Sequence, residues 1–456
     1  MSRSVVALLL LACGPKPTSS PAIATPPPRE TQRAEPPPAE APRDDRARLG
    51  ALVADPASDA DGSKRAALCA ALGRSKDPGA IELLLYVLEQ APERQPAIVY
   101  REAITALGML GASEATDAIL ATIFRVPEVA STQNVLERAR LALAQIGPDA
   151  AAPLAAMLAG KHPRVAELAE AAGIEHAIVE TVAMSFLALV IDGEHAAVQD
   201  IRDVLTSARC GRDPEQSGRF AFAAQALGRL GDAKSVAPIC ACLSGVLTPE
   251  PGYTSAEALA FIGGPEATRC LTNLIGTASY DRESVEPGFE HELRWEAVRL
   301  AALAGGPKSV PGIRAALRKS KSREVKKRAH EFAAMLDALE RCTDEACAAE
   351  LVAHGTDAFA REAAAFELAR RQPRSPDAAL AIANAFAVPN FDTRVSLAML
   401  TRRLAGRGGC PPCADALATV LGAERGKMDA RMQAAVLEAR ATIAVVSASG
   451  TDARTK

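Results

Sequence analysis

The side chains best equipped for chemistry in this sequence are its ten cysteines. Cys342-Thr-Asp-Glu-Ala-Cys347 and Cys410-Pro-Pro-Cys413 lie in polar or Gly/Pro-rich stretches, at spacings suited to short-loop disulfides in an oxidising compartment. A redox reading of Cys410 and Cys413 needs a strand before the motif and a helix after it. Ala414 to Leu421 has helical patterning, but Gly406 to Gly409 reads as a loop. Zinc would need a second knuckle, and Cys342/Cys347 is spaced too widely to supply one. Cys69, Cys240 and Cys270 fall among apolar residues of helical segments and are expected to be buried thiols acting as small hydrophobes. With Cys13 set aside, the other nine are odd in number, so at least one has no partner within the chain.

Other chemical groups are sparse. The six histidines include no His-Glu-x-x-His, although His291-Glu292 and His330-Glu331 each supply its first half. Single histidines near helix ends are expected to cap or to face solvent. Gly305-Gly306-Pro307-Lys308-Ser309 has the outline of a phosphate loop's tail, yet Pro307 stands where such a loop needs Gly. No Ser sits in a Gly-x-Ser-x-Gly elbow. The sequence therefore predicts no catalytic set, no metal site and no cofactor.

Composition narrows the partners. Lys and Arg number 52 against 55 Asp and Glu, giving a net charge of −3 and no global surplus for nucleic acid. Aromatics make up 4% of the chain, too few for stacking platforms or a large β-core. The apolar share of 48% is mostly Ala, Leu, Val and Ile, which suits close-packed helices.

The first thirteen residues run from Arg3 through the apolar stretch Val5–Leu11 to Ala12 and Cys13. This is a secretory pattern, too short to span a bilayer as a mature helix. Leu10-Leu11-Ala12-Cys13 resembles the lipobox of bacterial lipoproteins. The resemblance implies diacylglycerylation of the Cys13 thiol, cleavage before it and acylation of the new N-terminus. Gly14 in the next place implies sorting to the outer membrane, facing periplasm or cell surface. Residues 14–46 hold ten prolines, including Pro26-Pro27-Pro28 and Pro36-Pro37-Pro38. Such a segment cannot bury enough apolar surface to fold and favours an extended polyproline form.

From residue 47 the chain repeats itself. Ala226-Leu227-Gly228-Arg229-Leu230-Gly231-Asp232 matches Ala106-Leu107-Gly108-Met109-Leu110-Gly111, and weaker copies place marks at 76, 147, 193, 263 and 305. The spacings are 35, 36, 46, 38, 32 and 42, and that period with helical patterning predicts stacked helix pairs. Gly ends the first helix of each pair; Asp232, Pro148, Pro265, Pro307 or Asp77-Pro78 opens the second.

The pattern resembles the HEAT repeat family, with Arg219, Leu227, Gly228, Leu230, Gly231 and Asp232 forming the closest copy. The resemblance implies an all-α, right-handed α-solenoid of about nine or ten helix pairs and a role in binding other proteins. With the N-terminal reading, the chain is expected to divide into a signal peptide (1–12), a lipid-anchored, disordered Pro-rich linker (13–46), HEAT-like repeats (47–320) and degenerate C-terminal helical repeats (321–456). The expected function is a lipid-anchored envelope scaffold with a protein partner, touching membrane through its anchor alone and taking no nucleic acid. The competing readings are a HEAT-like lyase or other enzyme of the cell envelope, and a ligand-binding solenoid.

Two inserts stand out, at 160–178 and 276–292. The second gathers five carboxylates with two of the chain's rare aromatics. Tyr280, Asp281, Glu283, Glu286, Phe289, Glu290 and His291 are the candidate partner-binding residues there, since aromatic anchors among charges suit binding hot spots. The alternatives are a solvated loop of no consequence and a concave surface bearing Arg202, Arg314 and Arg318 on second helices.

Overall fold

The structure, a computed structural model, describes residues 42–126, 135–210, 213–244, 249–277, 289–386, 391–407, 409–424, 428 and 430–444. Among these it is helical throughout and has no strand. Cys13, the signal segment and most of the linker lie outside the described residues. The first helix, α1 (Pro42–Ala54), already begins inside the stretch assigned to the linker. Pro42 opens it at the position where a missing N–H costs a helix nothing.

The N-terminal pairs are α2 (Ser63–Ser75) with α3 (Ile81–Glu89), and α4 (Ala97–Leu110) with α5 (Thr116–Arg125). Next come α6 (Val135–Ile146), α7 (Ala151–Leu158), α8 (Pro163–Ala171), α9 (His176–Val190) and α10 (Val198–Ser207). The clearest repeats hold α11 (Pro214–Leu230), α12 (Val236–Leu243), α13 (Pro249–Ile262), α14 (Gly264–Thr277), α15 (Phe289–Gly305) and α16 (Val310–Lys319). The last third comprises α17 (Arg323–Arg328), α18 (Ala333–Arg341), α19 (Glu345–His354) and α20 (Ala358–Arg371), then α21 (Pro376–Asn384), α22 (Phe391–Ala405), α23 (Pro411–Glu424) and α24 (Ala430–Ala444).

The two glycines of the repeated Ala-Leu-Gly-x-Leu-Gly do different work. A Cβ on Gly228 would fall 2.7 Å from the Cα of Ala258, so the first glycine lets α11 and α13 touch backbone to backbone. The second, Gly231, adopts φ 70° and returns its N–H to the carbonyls of Gly228 and Leu227, ending the helix. A short 3₁₀ turn such as Ala233–Ser235 then leads into the second helix. Lys76, Gly111, Gly147 and Gly263 share the left-handed conformation; at the weak copies Gly193 does not, and Gly306 takes the role expected of Gly305.

First helices pack on first helices. α2, α4 and α6 stack in line, and from α6 the contacts pass through α9, α11, α13, α15, α20, α22 and α24. They then return, because α24 packs on α6. Contacts confined to adjacent pairs are the expectation for an open array, and that expectation holds only for the N-terminal pairs. Residues 135–444 close on themselves, with the C-terminal helices seated against the middle repeats.

Candidate functional site

Closure brings together a group of arginines that sequence patterning did not single out. The last carbonyls of a helix lack partners within it, and the helix dipole places partial negative charge there. Arg402 donates to the Ala188 carbonyl at 2.6 Å and Arg407 to those of Leu189 and Val190 at 3.0 and 2.5 Å, all in the last turn of α9. Arg403 donates to the Phe261 carbonyl of α13 at 2.6 Å, and Arg370 to that of Leu303 in α15.

The repeat glycines make room for these side chains. Guanidinium atoms of Arg407 lie against Gly147, those of Arg403 against Gly231, and those of Arg370 against Gly306, each where a Cβ would stand. Glycine at a helix end thus has a second role in this molecule, as the seat of an arginine from the C-terminal third.

Carboxylates from α20 and α24 complete the closure. Buried Glu362 accepts twice from Arg299 of α15, at 2.6 and 2.7 Å, and Glu296 accepts from the same guanidinium at 2.8 Å. Burial pushes the Arg299 pKa down, but Glu296 and Glu362 hold it well above its ordinary value. Glu438 of α24 pairs with Arg140 of α6 and, at 3.6 Å, with Arg229 of α11. Arg402 is pushed down to about 9, first by burial and then by the nearby charge of Arg229, with Glu438 opposing. Glu438 is shared between Arg140 and Arg229, Glu137 also faces Arg140 at 3.9 Å, and the α9 carbonyls accept from Arg402 and Arg407.

The described part of the second insert shows only its seat. Tyr280, Asp281, Glu283 and Glu286 lie outside the described residues; Phe289, Glu290 and His291 open α15, but their side chains also lie outside. Just beyond them, Arg328 stands over the Trp295 ring, 3.7 Å from its centroid, and bonds to Glu292 at 2.6 Å and Glu331 at 3.0 Å. Phe332 packs on Trp295 and Phe359 on Phe332, with centroids 4.9 and 5.1 Å apart. The insert therefore joins the body beside a cluster of the chain's scarce aromatics.

The first insert folds into α8 and frames a cleft of about 270 Å³ between α7 and α9, lined by Met157, Val165, Ile174, Val179, His162 and His176. His162 caps α8: its Nδ1 accepts from the Val165 N–H at 3.4 Å, leaving Nε2 toward Asp117 at 3.1 Å. His176 faces Glu180, which Arg219 holds from two nitrogens at 2.7 and 3.1 Å. His195 also accepts a backbone N–H, from Ala197 at 3.1 Å. These roles explain these three histidines as local caps and pairs, and among the described residues no three His, Cys, Asp or Glu side chains converge as a metal site.

Four cysteine pairs stand at disulfide distance. Cys342/Cys347 and Cys410/Cys413, the pairs predicted from spacing, have Cα atoms 5.4 and 5.3 Å apart. The reading of Cys240 and Cys270 as lone buried thiols is corrected: they face each other with Cα atoms 5.9 Å apart. Cys210 and Cys242 form the fourth pair at 5.5 Å. Cys240 and Cys242 both belong to α12, so the two crosslinks run from the end of α10 through α12 to α14. Among the described residues Cys69 alone is free, and burial raises its thiol pKa to about 12.

Of the arginines proposed for a concave site, Arg202 pairs with Asp232 at 3.4 Å and Arg314 with Asp337 and Glu340 at 2.5 and 3.1 Å, while Arg318 is exposed. No family model matches the chain, and no curated protein matches it.

Proposed function

We propose that the protein is an extracytoplasmic scaffold, anchored through lipid on Cys13 and built from HEAT-like helix pairs, that binds another protein. The observation carrying this reading is the cysteine inventory. Eight of the nine cysteines after Cys13 stand in pairs at disulfide distance. Crosslinks of that density persist in the cell envelope and are rare where thiols are kept reduced. The right-handed solenoid belongs to the proposal as the form of the repeats, curled until the C-terminal helices meet α6. The acidic, aromatic insert before α15 is the partner site within this reading, supported by its composition and by the aromatic cluster at its seat.

Two changes in the native host test it together. Cys13→Ser should release the protein from the membrane fraction or leave it unprocessed. Replacing residues 281–288 by a short Gly/Ser linker, which spares the start of α15, should leave helicity and melting nearly unchanged while removing the crosslinked partner. A Cys13→Ser protein that is processed and still partitions with membranes contradicts the anchor; unaltered crosslinking moves the partner site elsewhere.

A further inference from the structure

The charge of this chain is unevenly placed. Between residues 318 and 328 there are seven Lys and Arg and one Glu, in a protein whose net charge is −3. Six of the cations, Arg318, Lys319, Lys321, Arg323, Lys326 and Lys327, are exposed and form no ion pair among the described residues. The backbone explains their orientation. Across the turn from α16 to α17 the residues alternate: Ser320 and Ser322 turn inward, the first accepting from the Ser322 N–H at 3.3 Å, the second from the Val325 N–H at 3.2 Å. Lys321 and Arg323 therefore turn out. On α17, Arg323, Lys326 and Lys327 have the spacing that shares one helix face, and Val325 is fully buried on the other. The patch has definite edges, because Arg314 and Arg328 on either side are paired with carboxylates.

Two of these cations already have a structural use. Arg318 and Lys319 occupy the last turn of α16, where positive charge favours a helix end. The other four lie beyond that turn. Holding six cations that form no ion pair among the described residues close together in an otherwise acidic molecule raises its own electrostatic energy, and a dense anionic surface relieves it.

We propose that the α16–α17 turn is a docking surface for anionic phospholipid headgroups. Charge complementarity supports this occupant, and so do the aromatics described beside Arg328: Trp295 and Phe332 are buried and give bases nothing to stack on. Among the described residues of the patch no large apolar side chain is exposed, so it lies on the headgroups and is sensitive to salt. Its place in the cell rests on the envelope reading above. With a tether of some thirty residues between anchor and body, a second contact would lay the body on the membrane.

The test uses the full chain with Cys13→Ser, so that acylation has no part in the result. Sedimentation with phosphatidylcholine vesicles is compared with vesicles containing about one-third phosphatidylglycerol. Binding is expected only to the anionic vesicles and is expected to fall away in high salt. Lys321→Gln/Lys326→Gln/Lys327→Gln should weaken it on the order of 100-fold, at roughly fivefold per cation, with the melting curve retained. Equal binding by the triple variant, no preference for anionic lipid, or tighter binding to duplex DNA than to the anionic vesicles would overturn the proposal. None of these outcomes bears on whether Cys13 is acylated.

Discussion

Cys69 and the paired cysteines show how burial and proximity divide one residue type. Cys69 is fully buried and its thiol is driven toward about 12, so it is inert while the fold stands. The other eight described cysteines have partners at disulfide distance. For the Cys13→Ser protein purified from the envelope without reductant, thiol titration should find none in the native state and one after denaturation. Three or more thiols on denaturation would mean that at least one pair is reduced, and would weaken the extracytoplasmic reading with it. The pairs most useful to the fold are the two with long loops, since crosslinks closing 30 or 32 residues restrict the unfolded chain by about 3.6 kcal/mol each on the chain-entropy account. Sequence reasoning placed Cys342/Cys347 and Cys410/Cys413 because their partners are local. It missed Cys240/Cys270 because that pairing depends on two second helices of successive repeats lying side by side.

At the scale of the element, the repeat glycines separate into those that only turn the chain and those that also seat an arginine. Gly111 has φ 64° with open space around it, whereas Gly147 has φ 88° with the Arg407 guanidinium in the place of a Cβ. Gly111→Ala should cost about 1 kcal/mol, the ordinary penalty of a left-handed residue with a Cβ. Gly147→Ala carries that penalty and also displaces Arg407 from two carbonyls of α9, so about 2–3 kcal/mol is expected. Denaturant midpoints would show the difference, and in an Arg407→Ala background the two glycines should become alike. Equal effects in the parent protein would mean that Arg407 contributes nothing where it sits. The positions of most such glycines were legible in the sequence, since one helix ends at each. Their arginines were not: Arg407 lies more than two hundred residues from the carbonyls it caps, and nothing in the local pattern of Arg402, Arg403 and Arg407 distinguishes a cap from a solvated face.

For the whole molecule, the consequential interaction is the return of α24 to α6. The helical class was legible from composition and period, but an open array and a closed one share the same repeat, and only contacts between distant segments tell them apart. The seam is made of charge: Glu438 joins Arg140 of α6 and Arg229 of α11, while Glu362 joins α20 to Arg299 of α15. Carboxylates buried in this way contribute little by being paired, yet removing one partner leaves the other uncompensated at a cost of about 3–5 kcal/mol. Closure also has a measurable size. A compact body spanning residues 42–456 should have a radius of gyration of about 22 Å. Nine pairs in an open row, at roughly 10 Å each, would be about 90 Å long and give about 30 Å. Scattering from the chain starting at residue 42 should fall near the smaller value. Glu438→Gln, which strips Arg140 and Arg229 of their shared carboxylate, should lower the melting temperature and move the radius toward the larger value as the α6–α24 seam loosens. A parent protein already near 30 Å would mean that the closing contacts do not hold in solution, and that the C-terminal third continues the row.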